Sequence, residues 1–252
     1  MHDLNWPERL WIARHGQSAG NVARDAAEAA GLALIDLAAR DIDVPLSALG
    51  ERQAVALGEW FGAAAEADRP TAVLCSPYVR ARETARLLME AGGLRPSCGV
   101  HVDERLREKE FGILDRLTAH GIRERHPELS TQRTHVGKFY FRPPGGESWC
   151  DVILRLRSLV DTLKLEFRGE RVLVVAHQVT VNCFRYLLEK LDERQILEID
   201  RAADVPNCGV TEYRLDPSVG ALALVGANFT APLREAGEPV TREPDVPAAP
   251  KS

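Results

Sequence analysis

The sequence lacks any apolar run long enough to cross a membrane, and no secretory leader is visible at its N-terminal end. A membrane helix needs about 20 consecutive apolar residues, whereas Met1–Arg9 is polar and contains Pro7. These absences predict a soluble protein of the cytoplasm with no membrane partner. With 45% hydrophobic residues among 252, the chain can still bury a sizeable core.

Paired cysteines and long basic blocks are also missing. The five cysteines are odd in number and show no CxxC spacing, so the sequence predicts neither a disulfide framework nor a zinc site. The net charge is −5, from 32 basic and 37 acidic residues. Nucleic-acid binding depends on clustered positive charge, so this distribution argues against nucleic acid as a partner.

The most informative stretch is residues 10–21. The apolar run Leu10–Ala13 predicts a short buried strand that ends at Arg14-His15-Gly16. Ligands of open α/β sheets bind where strands end. An imidazole can attack phosphorus and hold the phosphoryl group, while an adjacent guanidinium pairs with two of its oxygens. Arg14 and His15 therefore suggest phosphoryl transfer, although alone they fit a strand-capping histidine and a surface arginine better.

Two other predicted strands end in residues suited to the same chemistry. Ala72–Cys75 is followed by Ser76-Pro77 and by a helix that carries Arg80 near its N-terminus, where anions are favoured. Arg171–Ala176 is the most β-like apolar run, predicts a central parallel strand, and ends at His177. The carboxyl ends of parallel strands share one sheet edge, so we expect His15 and His177 to meet there.

Five motifs together carry a resemblance to a known family. Arg14-His15-Gly16-Gln17-Ser18, with Asn21 three residues later, resembles the signature of the histidine phosphatase superfamily, the phosphoglycerate mutase-like group. Four further motifs follow in that family's order, and the set covers roughly residues 9–190. These four are Ser76–Ala85, Leu106–Gly112, Gly146-Glu147-Ser148 and Val174–His177.

The resemblance implies a fold and a set of site residues. The implied fold is a three-layer α/β/α arrangement with a mostly parallel central sheet. Asn207–Leu215 and Ala221–Ala227 are expected to form an antiparallel hairpin at one edge of that sheet. The implied catalytic residues are His15, Glu108, Arg14, Arg80 and His177. The implied substrate-binding residues are Gln17, Ser18, Asn21, Gln178, Lys138 and Arg133.

The general acid is the residue for which the resemblance matters most. By charge pattern alone, Asp103–Glu108 is a solvated surface stretch. The family pattern Leu-x-Glu-x-x-Phe-Gly instead makes Glu108 the acid that protonates the leaving oxygen. Glu110 is the nearby competitor for this role.

The substrate-selecting region resembles one branch of the family. The basic stretch Thr118–Lys138 is similar to the family's insertion over the pocket and looks most like that of the fructose-2,6-bisphosphatase module. In that branch Lys138 falls on a substrate lysine, and Arg133 lies one residue from a substrate arginine. Both fit an exposed loop charge equally well. Gln178 matches the branch, whereas Asn182 stands where the branch has an arginine.

The sequence predicts one domain and a tail. Residues 1–231 form the histidine phosphatase domain, with the substrate-covering insertion at about 113–145. Beyond Pro232 the composition shifts to Pro, Glu and Ala, which predicts a disordered tail over 232–252. The alanine-rich stretch Ala19–Arg40 predicts a helix that either lies partly over the site or belongs to the surface without a catalytic role.

The predicted function is that of a hydrolase. We expect a metal-independent phosphatase that cleaves a small phosphate monoester, such as a sugar phosphate or bisphosphate, through a phosphohistidine and without a cofactor. A phosphoglycerate-type mutase, a non-catalytic phosphate-binding protein and, least favoured, a His/Glu metal site remain as alternatives. The sequence indicates neither the physiological substrate nor the oligomeric state.

Overall fold

A six-stranded sheet flanked by helices forms the part of the chain that the structure describes. The structure is a computed structural model that describes residues 5–242. No helix within that range is long and apolar enough to cross a bilayer. The strands are β1 (Arg9–Arg14), β2 (Ala72–Cys75), β3 (Val100–Val102), β4 (Arg171–Ala176), β5 (Val210–Asp216) and β6 (Ala221–Phe229). The α-helices are α1 (Ala19–Ala29), α2 (Ala48–Ala63), α3 (Val79–Ala91), α4 (Ala119–Arg125), α5 (Pro127–Val136), α6 (Trp149–Glu166), α7 (Gln178–Leu188), α8 (Glu193–Ala202) and α9 (Ala231–Glu235).

The sheet is mostly parallel and has one antiparallel edge. Its strand order is β3-β2-β4-β1-β5-β6. β4 pairs in parallel with both β1 and β2, and β2 pairs in parallel with β3. β5 runs antiparallel to β1 and forms a hairpin with β6. The predicted fold class is therefore confirmed, including the hairpin and the central position of Arg171–Ala176.

Helices cover both faces of the sheet, which explains the unbroken apolar runs in the sequence. Along β1, Leu10 and Ile12 face the core shared with α6 and α7, while Trp11 and Ala13 face the core shared with α2 and α3. Trp11 meets Phe61 of α2 edge to face, with ring centroids 5.3 Å apart. A strand buried on both faces needs apolar residues at successive positions rather than alternating ones.

The helices α2 and α3 form a rigid pair behind the site. Ser47 begins α2, and its hydroxyl accepts a hydrogen bond from the Gly50 backbone N–H at 3.1 Å. A Cβ at Gly58 would lie 2.2 Å from the Leu88 carbonyl oxygen, so the backbones of α2 and α3 touch where only glycine fits. This contact fixes α3, the helix that carries Arg80 in its first turn.

The predicted helix over Ala19–Arg40 is shorter than expected. It ends at Ala29 and is followed by Gly31 at φ 64°, a left-handed conformation that favours glycine. Residues 31–44, here called the cover segment, have no α-helix and contain a single 3₁₀ turn at Asp41–Asp43. The Ile35 N–H donates to the Arg116 carbonyl at 2.9 Å. The cover segment therefore lies along the start of the insertion.

The predicted insertion contains two short helices with a small core of their own. Thr118 begins α4, and its hydroxyl accepts from the Gly121 N–H at 3.0 Å. Pro127 occupies the first turn of α5, where a backbone N–H would have no partner within the helix, so its absence costs no hydrogen bond. The apolar core of this region comprises Leu114, Leu117, Ile122, Leu129 and Phe141.

The structure differs from the predicted tail over its first residues. The expected disorder from residue 232 is contradicted as far as Arg242, because Leu233 of α9 is fully buried in the core with α2 and α3. The Thr241 hydroxyl donates to Asn207 Oδ1 at 2.9 Å. Few large apolar residues were visible in this stretch, yet one leucine at the right position anchors it. Residues 243–252 of the predicted tail lie outside the described residues.

Candidate active site

Three neighbouring strands bring Ser76, His177 and His15 to one edge of the sheet. These residues directly follow β2, β4 and β1, which are adjacent and parallel. The register continues past the strands, since the Ser76 N–H donates to the Val175 carbonyl and the His15 N–H donates to the Ala176 carbonyl, each at 3.0 Å. The His15 and His177 ring centroids are 5.0 Å apart.

His15 is held in one tautomer by its neighbour. Its Nδ1 lies 2.7 Å from the Gly16 carbonyl oxygen. A carbonyl only accepts hydrogen bonds, so Nδ1 carries the proton and Nε2 keeps its lone pair. Burial, reinforced by the charges of Arg80 and Arg14, lowers the pKa of His15 well below its ordinary value of 6.5. The ring is therefore neutral near pH 7, with Nε2 able to act as a nucleophile.

The loop that carries His15 is fixed by contacts that leave no room for a side chain. A Cβ at Gly16 would lie 2.4 Å from the carbonyl oxygen of Gly50, in the first turn of α2. The Gly16 N–H donates to the Thr84 hydroxyl at 3.0 Å. The Asn207 side-chain amide donates to the His15 carbonyl at 3.1 Å. The backbone around the imidazole is thus held from three directions.

Two buried arginines flank the histidines. Arg14 donates to the Val205 carbonyl at 2.6 Å and to Gln178 Oε1 at 3.1 Å. Arg80 donates to the Asp41 carbonyl at 2.6 Å, and its terminal nitrogen lies 2.9 Å from Asp41 Oδ1. Both arginines are less than 10% exposed, at 4% and 6%. Two guanidinium groups beside a neutral imidazole are an arrangement suited to an anionic group.

A small pocket opens onto these groups and encloses about 120 Å³. Pockets for drug-sized ligands enclose about 300–1,000 Å³, so this one suits a phosphoryl group with few further atoms. His177 is fully buried beside the pocket. Predicted site residues that line it are Arg14, His15, Ser18, Asn21, Arg80, Glu108 and Gln178.

The outer wall of the pocket comes from side chains that were not among the predicted site residues, although Ala19–Arg40 was one candidate to lie over the site. The cover segment contributes Ile35, Leu37 and Asp41, so it lies over the site. Arg24 of α1 and Asp115 of the insertion complete this wall. Arg24 was accessible from the sequence, since it lies three residues after Asn21 and helical residues at that spacing share a face. Asp41 and Asp115 carried no such signal, because irregular segments bring them to the site.

Ser18 and Asn21 cap α1 and line the pocket at the same time. The Ser18 hydroxyl accepts from the Asn21 N–H at 3.1 Å, and Asn21 Oδ1 accepts from the Ser18 N–H at 2.8 Å. Within residues 5–242 the Asn21 amide nitrogen donates to no side chain or carbonyl. Gln17 does not line the pocket, because its Oε1 accepts from the Ser47 hydroxyl at 2.7 Å.

Two further predicted substrate residues, besides Gln17, lie outside the pocket. Lys138 Nζ is 2.6 Å from Asp200 Oδ2 and sits over the ring of Trp149. Asn182, at the position where the similar branch has an arginine, donates to the other oxygen of Asp200 at 3.2 Å. Arg133 lies near the C-terminal end of α5. Neither Lys138 nor Arg133 lines the pocket, so the structure does not bring them to the phosphoryl site.

The two candidate acids are separated by their surroundings. Glu108 lines the pocket, and its Oε1 accepts from the Lys109 N–H at 2.8 Å. Glu110 does not line the pocket, and its Oε1 accepts from the Tyr78 hydroxyl at 3.0 Å. Of these two acids, Glu108 is therefore the one whose side chain faces the pocket. No cluster of three or more His, Cys, Asp or Glu side chains suited to a metal ion occurs among residues 5–242.

Comparison with known proteins identifies the family. The family model described as histidine phosphatase superfamily (branch 1) matches residues 10–228. The chain is 30% identical over 230 residues to 6-phosphofructo-2-kinase/fructose-2,6-bisphosphatase of Caenorhabditis elegans, covering 89% of this chain and 44% of that protein. It is 27% identical over 227 residues to a phosphoglycerate mutase-like protein of Arabidopsis thaliana, covering 83% and 73%. The solved structure of mycobacterial glucosyl-3-phosphoglycerate phosphatase with VO3 superposes with a TM-score of 0.66 at 28% identity, covering 88% of this chain and 100% of that one. With the two histidines and two arginines gathered at one sheet edge, these matches show that the chain belongs to the histidine phosphatase superfamily.

Proposed function

We propose that the protein is a phosphatase that hydrolyses a small phosphate monoester through a phosphohistidine on His15 Nε2. The observation that carries this proposal is the bond from His15 Nδ1 to the Gly16 carbonyl. That bond leaves the Nε2 lone pair in a pocket flanked by Arg14 and Arg80. The lowered pKa of His15 keeps the lone pair available at neutral pH.

The reaction takes two steps. In the first, the His15 Nε2 lone pair forms a bond to phosphorus, the ester P–O bond breaks, and its electron pair stays on the leaving alkoxide oxygen. Glu108 donates a proton to that oxygen, so the product leaves as a neutral alcohol. Arg14 and Arg80, with His177, stabilise the charge on the equatorial phosphoryl oxygens.

The second step returns the enzyme to its starting state. Glu108, now a carboxylate, takes a proton from water, and the water oxygen bonds to phosphorus as the N–P bond breaks. Inorganic phosphate leaves, and His15 is again neutral with its lone pair on Nε2. The cations in this scheme are arginines, so the scheme needs no metal ion.

The pocket limits the alcohol part of the substrate. Beyond the inner arginines it offers apolar side chains from the cover segment, the carboxylates of Asp41 and Asp115, and the guanidinium of Arg24. Arg116 also lines the pocket, but its guanidinium donates to the Leu37 carbonyl, whereas Arg24 makes no hydrogen bond or ion pair within residues 5–242. Arg24 is therefore the better placed of the two to meet a second anionic group. A bisphosphate substrate would use Arg24 rather than Lys138, which is held by Asp200.

The test is loss of turnover and labelling on replacement of His15. His15→Ala should abolish hydrolysis of a chromogenic phosphate ester and acid-labile labelling by the radioactive phosphate ester. His120→Ala is the matched control, because that imidazole is exposed and pairs with Glu124. Full activity in His15→Ala would overturn the proposal, as would labelling that stays on the protein after acid treatment.

The same assay separates the alternatives. A mutase would convert 3-phosphoglycerate to its isomer when primed with the bisphosphate, whereas the proposed phosphatase releases inorganic phosphate and the free alcohol. A non-catalytic phosphate-binding protein would bind vanadate without turnover. The cytoplasmic location remains a prediction.

A further inference from the structure

Ser76 makes a buried contact with His177 that has no part in the proposed two-step reaction. Its hydroxyl oxygen lies 2.7 Å from His177 Nε2, and both residues are fully buried. The contact follows from the sheet, because β2 and β4 are neighbouring strands. β2 ends one residue before Ser76, and β4 ends one residue before His177. Ser76 is thus the third residue in the row that continues to His15.

The hydrogen bonds around Ser76 decide which partner donates. The Tyr78 backbone N–H donates to the Ser76 oxygen at 3.3 Å. Within residues 5–242, His177 Nε2 is the one acceptor that the Ser76 hydroxyl proton reaches. The hydroxyl therefore donates to Nε2, which must present its lone pair. The reverse arrangement would leave a buried hydroxyl proton without an acceptor, at a cost of about 1–3 kcal/mol.

His177 carries one proton, and its place follows from this bond. Burial, followed by the charge of Arg80, lowers the pKa of His177 well below 6.5, so the ring is neutral. With Nε2 accepting, the proton sits on Nδ1. His177 Nδ1 is buried and has no hydrogen-bond partner in the described protein. A donor left unpaired beside His15 and two arginines is placed for an acceptor that arrives with the ligand.

We propose that Ser76 is a positioning residue that holds His177 in the Nδ1–H tautomer, so that a neutral imidazole donates a hydrogen bond to the phosphoryl group on His15. This inference rests on the proposed function for the identity of the acceptor. The tautomer itself does not depend on it. Without Ser76, the proton can move to Nε2, and the Nδ1 lone pair would then face the phosphoryl oxygens and repel them.

The tautomer can be measured without turnover. In protein labelled with ¹⁵N at histidine, long-range ¹H–¹⁵N spectra distinguish a protonated ring nitrogen from one with a lone pair. We expect a protonated Nδ1 and an acceptor Nε2 for His177 in the wild type, with His177→Asn supplying the assignment. In Ser76→Ala we expect the proton to be shared between the two nitrogens or to move to Nε2.

Kinetics then test the consequence. Ser76→Ala should lower kcat by about 10- to 100-fold with a smaller change in KM, because the lost hydrogen bond acts on the transferring group. Ser76→Thr keeps the hydroxyl and should restore most of the rate if its circular dichroism matches the wild type. Ser158→Ala is the matched control, since that serine lies on α6 and its hydroxyl accepts only from Arg105 among described side chains.

The outcomes separate this inference from the function it builds on. A wild-type spectrum with the His177 proton on Nε2 would overturn the role of Ser76, whatever the activity. An unchanged spectrum and rate in Ser76→Ala would do the same. If the tautomer is as stated but His15→Ala remains fully active, the proposed function fails and the hydrogen-bond assignment stands.

Discussion

Asp41 pairs with Arg80, one of the two arginines proposed to bind the phosphoryl group. Replacing Asp41 should therefore strengthen anion binding. The Arg80 terminal nitrogens contact the Asp41 carboxylate at 2.9 and 3.3 Å. A bound phosphate must share or displace this carboxylate, because bidentate recognition uses the same guanidinium edge. Asp41→Asn removes the competing charge and keeps the backbone carbonyl, which still accepts from Arg80 at 2.6 Å.

The size of the effect follows from exposure. The Asp41 side chain is 40% exposed and that of Arg80 only 7%. Exposed pairs contribute about 0–1 kcal/mol, and pairs at an effective dielectric of about 20 contribute about 4 kcal/mol before desolvation. Discounted for the exposure of Asp41, about 1 kcal/mol remains, and 1.4 kcal/mol is a factor of about ten. We therefore expect Asp41→Asn to tighten binding of phosphate and vanadate about 3- to 10-fold.

Competitive inhibition by inorganic phosphate and by vanadate measures this change. Asp43→Asn is the control, because it removes the same charge from the same 3₁₀ turn. Asp43 pairs with the exposed Arg40 rather than with Arg80. Asp115→Asn removes a pocket carboxylate that has no bond to Arg80 within residues 5–242. Weaker inhibition in Asp41→Asn would refute the reasoning, since Asp41 would then orient Arg80 for phosphate rather than compete with it. If all three variants bound phosphate and vanadate equally more tightly, the effect would come from the change in long-range charge and not from the contact between Asp41 and Arg80.

Three further predictions test the site and its surroundings. Glu108→Gln should slow hydrolysis of an ester with a poor leaving group about 100-fold and that of a nitrophenyl ester much less, because only the poor leaving group needs the proton. Glu110→Gln should change neither rate. Equal losses for both esters would show that Glu108 is not the proton donor. Lys138→Met should lower the melting temperature, because it leaves Asp200 buried beside an apolar side chain, but should leave KM unchanged; a raised KM would return Lys138 to the substrate. The stability of the protein should fall as the pH drops below about 6.5, because the folded state keeps His15 and His177 neutral while the unfolded chain takes up a proton at each. His177→Asn should make this decline shallower in urea denaturation without removing it, since His15 still contributes, and an unchanged slope would show that His177 does not contribute.

The sheet and the residues around its carboxyl edge could be predicted from the sequence, because the signals for them lie within short stretches of the chain. β1 and β4 are short apolar runs that stop at a charged or polar residue, so the strand and its catalytic end are encoded together. The parallel arrangement follows from strands that alternate with amphipathic helices. His15 and His177 could thus be placed at one sheet edge before any coordinates were known.

The outer pocket could not be predicted in the same way. The cover segment has no periodic pattern, and its position depends on tertiary contacts such as the Ile35 bond to Arg116. Lys138 was chosen by its spacing from a motif, yet the acidic partner that holds it, Asp200, lies 62 residues later. Glu108 and Glu110 lie two residues apart in a stretch without helix or strand, so the side chain that faces the pocket depends on tertiary contacts such as that of Glu110 with Tyr78.

The bonds that reach from Thr241 to the nucleophile loop have a consequence for how the protein matures during synthesis. Thr241 is bonded to Asn207, and Asn207 is bonded in turn to the His15 carbonyl. A nascent chain that has emerged only as far as β6 contains every proposed catalytic side chain, but its nucleophile loop lacks this last brace. We therefore expect a truncation before Thr241 to weaken the support of the loop that carries His15, and so to lower activity as well as stability.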